Sequence, residues 1–150
     1  MDLISTPTDG RTLLVIASDK VNMQLMTQLL ARREDLRLLT ANGGRVGMEF
    51  AEAYQPDVVV MDTGLADISA RDALACLRKN PVTSHIPVIA VSTEAFKTQI
   101  DAGLQAGFYR YLTKPFKLVD LLDAIDNAFG YTLERFKRLA SSKGFIGEAK

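Results

Sequence analysis

The stretch "LLVIASDKVN", residues 13–22, opens on five apolar residues that run straight into Ser18 and Asp19. A short, continuous apolar run bounded by polar residues suits a strand buried on both faces of a parallel sheet. Polar residues just past such a strand fall at the carboxyl edge of the sheet, where open α/β sheets bind ligands. The run sets two questions: whether the chain repeats a strand–helix alternation, and what chemistry the other strand ends bring to that edge.

The alternation repeats. Apolar runs occur at "TLLVIA" (12–17), "LRLLTA" (36–41), "DVVVMD" (57–62), "IPVIAVS" (86–92) and "FYRYLT" (108–113). The second is more mixed and suits an edge. Amphipathic segments lie between them. Residues 20–33 place Val21, Leu25, Leu29, Met26 and Leu30 at helical spacing, and residues 44–54 place Val46, Phe50 and Ala53 on one stripe. Residues 69–80 carry Ala70, Ala73, Leu74 and Leu77, with Ser69 as N-cap. Residues 94–106 are weakly patterned and end before Gly107; residues 117–129 carry Leu118, Leu121, Leu122, Ile125 and Phe129, with Gly130 as the expected stop. Five βα units with right-handed crossovers predict a doubly wound α/β sheet, flavodoxin-like, with strand order 2-1-3-4-5.

Bulk composition fits that reading. The chain has 150 residues, 47% hydrophobic, enough for one full core. The expected organisation is a flexible segment 1–11, a domain 12–130 and a helical extension or tail 131–150. Eighteen basic residues balance eighteen acidic ones, so neither a nucleic acid nor an anionic membrane is expected as a partner held by bulk charge. The single cysteine, Cys76, excludes an internal disulfide and is expected as a buried thiol. No secretion signal and no apolar run of about 20 residues appears, which makes a cytoplasmic protein the default expectation.

The strand ends bring Ala17, Ser18 and Asp19 after the first strand, Asp62 followed by Thr63 and Gly64 after the third, Ser92-Thr93 after the fourth, and "TKPF" with Lys114 and Pro115 after the fifth. One carboxylate, one hydroxyl and one ammonium are thereby aimed at a common crevice. Singly each has a plain explanation as turn former, cap or solvated charge.

With "PDVVVMD" (56–62), "HIPVIAVST" (85–93) and "AGFYRYLTKPF" (106–116) in this order and spacing, the sequence resembles the receiver domains of two-component response regulators, over about residues 12–129. The stretch from "LRKNPVTSHIPVIAVS" to "YLTKPF" is similar to receivers of hybrid sensor kinases. The resemblance implies that Asp62 accepts a phosphoryl group from a kinase phosphohistidine, that Ser92 hydrogen-bonds it and that Lys114 pairs with it. It further implies that Tyr111 is the switching aromatic, that Pro115 follows a cis peptide, and that the Gly64 carbonyl and Asp62 ligate Mg²⁺. Implied partners are a histidine kinase or phosphotransfer protein and a downstream protein at the face of the fourth helix, fifth strand and fifth helix. Such a domain is no enzyme beyond catalysing its own phosphotransfer and dephosphorylation.

Two departures stand out. Typical receivers end the first strand with two acids that hold Mg²⁺; the matching positions here are Ala17 and Ser18. Asp19, one residue later, is the candidate replacement, with Ser18 the other metal candidate; the alternative is that Asp19 caps the following helix. Near the acceptor, "TGLADISARDAL" carries Ala66 in place of the usual proline and Ala70 in place of a later glycine. Mg²⁺ binding is therefore expected to be weak or absent. Two functions stay open: a phosphorelay receiver with weakened metal affinity, and a pseudo-receiver that makes protein contacts without phosphorylation.

A flavodoxin-type flavin binder is the remote alternative, and "ASDKVN" has no glycine and only one hydroxyl, where its phosphate loop needs to be rich in Ser, Thr and Gly. His85 lies at the opposite end from the crevice, and "NGGRVG" (42–47) lacks the Lys-Ser/Thr of a phosphate loop and is expected as a turn. Leu118, Leu122, Ile125, Phe129, Thr132, Phe136 and Leu139 form a heptad-like seam. It suggests a longer fifth helix docking on a partner or a second copy; the alternative is core packing to residue 129 followed by a loose end.

Overall fold

The computed structural model describes residues 11–93 and 96–143, the last twelve of these as backbone only. Ten elements alternate strictly: β1 (Thr12–Ile16), α1 (Lys20–Leu30), β2 (Arg37–Ala41), α2 (Gly44–Tyr54), β3 (Val58–Asp62), α3 (Ala70–Lys79), β4 (Val88–Ser92), α4 (Lys97–Ala106), β5 (Arg110–Thr113) and α5 (Leu118–Lys143). All strand pairings are parallel, in the order β2-β1-β3-β4-β5, as the alternation predicts.

The central strands are buried on both faces because side chains alternate between two helix layers. Leu13, Val15, Val58, Val60, Ile89 and Val91 pack with Met26 and Leu30 of α1 and Leu121, Ala124, Ile125 and Ala128 of α5. Leu14, Ile16, Val59, Met61, Val88 and Ala90 face Ala51 of α2 and Ala70, Ala73, Leu74 and Leu77 of α3. Both layers consume apolar side chains, which explains why these strands show no alternation of polarity in sequence.

Helix faces depart from expectation in several places. Val21 and Leu25 of α1 stay exposed, at 70% and 55%, because the helix meets the sheet through Met26 and Leu30. The buried stripe of α2 is Gly44, Gly47 and Ala51, while Val46 lies at the surface and Ala53 is exposed. A Cβ on Gly47 would stand 2.5 Å from Ile16 Cδ1, so the missing side chain lets α2 approach β1 closely. The segment expected as a turn, 42–47, thus contains the first turn of α2. Cys76 is exposed, since α3 buries Ala73, Leu74 and Leu77 and turns Cys76 outward.

Gly130 does not stop α5, which continues to Lys143. Glycine inside a helix costs about 1 kcal/mol against alanine, too little to end a well-packed one. The first half of the heptad-like seam is core: Ile125 and Phe129 are buried, and Leu122 packs against the same cluster. The side chains of Thr132, Phe136 and Leu139 lie outside the described residues.

Candidate functional site

Register brings the strand ends level. Ile16 pairs with Met61, which sets Ala17 beside Asp62; Asp62 pairs with Val91, and Ser92 with Thr113. Asp62 ends β3 at 8% exposure, and Ser92, one strand over, is fully buried. The Lys114 backbone N–H donates to the Ser92 carbonyl at 2.7 Å, which fixes the start of the "TKPF" segment against β4. The Lys114–Pro115 peptide is cis.

From the described residues the Asp62 carboxylate accepts three hydrogen bonds. Oδ1 receives the Gly64 N–H at 2.8 Å. Oδ2 receives Lys114 Nζ at 3.1 Å and Asn22 Nδ2 at 3.2 Å. Lys114 and Asp62, the candidate cation and acceptor, are therefore a direct ion pair between partly buried side chains, 23% and 12% exposed. Tyr111 lies half-buried on β5, its ring edge-on to Phe108 at 6.2 Å between centroids. It sits over Gly103 of α4, where a Cβ would come within 2.6 Å of the ring.

The residues after β1 are occupied elsewhere. Asp19 is exposed and is the N-cap of α1, its Oδ2 accepting the Asn22 N–H at 3.3 Å. Ser18 Oγ accepts the Ala66 N–H at 2.9 Å. Ala17 is buried and apolar. Mg²⁺ requires near-octahedral oxygen donors, normally including one or two carboxylates. Among the described residues no three His, Cys, Asp or Glu side chains gather as a metal set. The donors present do not fit a dedicated Mg²⁺ site of the two-acid kind.

Two site residues carry no obvious signal in sequence. Asn22 resembles any polar residue in a first helical turn; its distinguishing mark is position, three residues past the Asp19 cap and thus on the turn that overhangs the strand ends. Asp67, in the loop after β3, reaches across to α2, its carboxylate accepting the Gly44 and Arg45 N–H groups at 2.9 Å each. Those two backbone donors, the Arg45 one foremost, hold its pKa below the ordinary aspartate value. His85 is exposed at the opposite end of β4, away from all of these groups.

This arrangement is that of a known family. The response regulator receiver domain pattern matches residues 13–126. The polar-differentiation response regulator DivK of Brucella anthropi is 26% identical over 120 residues, covering 80% of this chain and 97% of that protein. A response regulator receiver domain protein from Clostridium thermocellum is 28% identical in sequence and superposes with a TM-score of 0.72, covering 85% of this chain and 98% of that one. The signal receiver domain of a putative Luxo repressor protein from Vibrio parahaemolyticus, 19% identical, shares the fold with a TM-score of 0.76 over 87% of this chain and 96% of its own. With its strand order, its buried Asp62 and the Lys114 ammonium bonded to it, the chain belongs to the receiver domain family of response regulators.

Proposed function

We propose that this receiver accepts a phosphoryl group on Asp62 from a histidine kinase or phosphotransfer protein and relays the change through protein contacts, with weak Mg²⁺ affinity. The observation that carries the reading is the Lys114 Nζ at 3.1 Å from Asp62 Oδ2. A new bond forms between an Asp62 oxygen and phosphorus as the P–N bond of phosphohistidine breaks, and the imidazole leaves with the bonding pair and takes a proton from water. Phosphoryl transfer depends on positioning and on neutralising charge at the equatorial oxygens. The adduct adds roughly −1.5 to −2 charge. Lys114 supplies a positive charge and Ser92 a hydroxyl donor. Their contacts with the phosphoryl oxygens exist only after transfer, so they favour one of two conformations, with Tyr111 and Pro115 as the switch elements. Catalysis is limited to the protein's own phosphotransfer and dephosphorylation.

The body of the receiver is residues 12–130, flanked by segment 1–11 and extension 131–150. Its output is through protein contacts at the face of α4, β5 and α5, where Leu104 and Val119 are exposed apolar residues. A second copy of the chain is a candidate partner through the extension; sedimentation of chains ending at residues 130 and 150 tests it, and monomeric mass for both removes it. The balanced charge supports neither a nucleic-acid nor a membrane partner. No helix among the described residues is long and apolar enough to cross a membrane, in keeping with the cytoplasmic assignment proposed here.

One observation favours a second reading, the pseudo-receiver: Asp62 already has three donors, and among the described residues no group of three acids, histidines or cysteines gathers as a metal set. Mass measurement after incubation with acetyl phosphate, and with a kinase, separates the two. An adduct on Asp62 that disappears in Asp62→Asn is expected; its absence under both conditions leaves the pseudo-receiver.

A further inference from the structure

The two departures from the family pattern meet in space. Ser18 stands where an acid is usual and Ala66 where a proline is usual, yet Ser18 Oγ accepts the Ala66 N–H at 2.9 Å across 48 residues of sequence. Proline has no N–H to give, so this bond depends on position 66 not being proline, and Ser18 supplies the acceptor without a charge. The same loop is held from its other side by the Asp67 carboxylate on the Gly44 and Arg45 amides. Contact there is close: a Cβ on Gly44 would lie 2.2 Å from Ile68 Cγ2. The loop ends at Ser69, whose Oγ caps α3 through the Asp72 N–H at 3.0 Å. Its first residues deliver the Gly64 N–H to Asp62 Oδ1.

We propose that Ser18 and Asp67 are positioning residues that brace the loop after Asp62 between the β1–α1 turn and α2, and that this brace needs no metal. A metal held by acids after β1 would tie the same two loops together by ligation; here direct hydrogen bonds tie them. The brace fixes the Gly64 N–H on one acceptor oxygen and leaves the Lys114 and Asn22 donors on the other. Its consequence for phosphorylation rests on the reading of Asp62 as acceptor; the brace itself does not.

Amide hydrogen exchange on the full chain, in EDTA and in Mg²⁺, tests it. The amides of Ala66, Gly44 and Arg45 are expected to be equally protected in both. Ser18→Ala is expected to speed exchange at Ala66 by about fivefold, the effect of one lost hydrogen bond, with the β3 amides unchanged, and Ser18→Thr to restore it. Asp67→Ala, which removes both acceptor oxygens, is expected to act in the same way at Gly44 and Arg45. The initial rate of acetyl phosphate labelling at Asp62 is expected to fall in Ser18→Ala and recover in Ser18→Thr. Protection at Ala66 that appears only with Mg²⁺, or that survives Ser18→Ala, overturns the brace. If Ser18→Ala does not fold, Ala66→Pro removes the same bond from the donor side; proline has no amide to follow, so exchange is read at Gly64, where faster exchange is expected and an unchanged rate overturns the brace. If Asp62 takes no phosphoryl group in any variant, the acceptor reading fails and exchange alone decides the brace.

Discussion

At the residue scale the site is a competition for one carboxylate. Hydrogen bonds to a charged acceptor contribute about 1.5–3 kcal/mol where burial limits solvent. Asn22→Ala removes one such bond from Asp62 and is expected to destabilise by about 1 kcal/mol, less than that range because the pair is only part-buried. Lys114→Ala removes the ammonium and is expected to cost more; urea unfolding midpoints of the two variants check the order. Asp19 offers a sharper separation. As an N-cap it is replaceable by asparagine, which caps equally well, but not by alanine, which costs about 1 kcal/mol. Asp19→Asn is therefore expected to leave both stability and Mg²⁺ titration unchanged, whereas a metal ligand at Asp19 would show a loss of Mg²⁺ affinity. The placement of Asp62, Ser92 and Lys114 at the sheet edge was legible in the sequence because each ends or follows an apolar run. Asn22 was not, because an amide in a first helical turn looks the same whether it faces water or a carboxylate. Ser18 and Ala66 were visible as separate oddities; only the fold shows that one satisfies the other.

At the element scale strands were easier to read than helix faces. Five apolar runs located five strands to within a residue or two; in β1, β3 and β4 burial on both sides leaves few positions for polar residues, while the edge strands β2 and β5 are more mixed. Helical spacing located the helices but not the side that packs: Val21 and Leu25 looked like core and are exposed. In α2 the packing face is small rather than large, a pattern that hydrophobicity does not mark. Glycines test this difference. Gly47→Ala drives a methyl into fully buried Ile16. The overpacking cost of about 1–3 kcal/mol exceeds the helix-propensity gain of about 1 kcal/mol. The variant is expected to be less stable. Gly130→Ala meets nothing within 4 Å in the middle of α5 and is expected to stabilise by about 0.5–1 kcal/mol. Thermal unfolding of both variants should move in opposite directions; parallel shifts would contradict the close approach of α2 to β1.

At the scale of the whole molecule, ion pairs tie the end of α1 to α5 at the end of the sheet opposite the site. Arg33 Nη2 lies 2.8 Å from Asp35 and 3.0 Å from Asp126 of α5, and Arg11 lies 3.6 Å from Asp35. The Arg33 guanidinium, the largest influence, holds the Asp35 pKa at about 2, below its ordinary 3.8. A lowered carboxylate contributes stability that is present above 3.8 and is lost as pH falls through the folded value. Asp35 is 40% exposed, so solvent screening holds its pairing to about 0.5 kcal/mol. Asp57 has the opposite sign. Burial raises its pKa despite the hydrogen bond from the Thr12 N–H. Its contribution is full below 3.8 and is lost as pH rises through the folded value. The two groups can therefore be told apart by variants that keep the shape and remove the charge. The stability gap between Asp35→Asn and the natural chain is expected to close as pH falls from 3.8 toward 2, and to shrink in high salt at neutral pH. For Asp57→Asn, stability relative to the natural chain is expected to improve as pH rises above 3.8, because the variant no longer buries a charge. Stability curves from denaturant titrations at successive pH values measure both, and a gap for Asp35→Asn that widens on acidification would show that Arg33 does not hold that carboxylate in the folded chain.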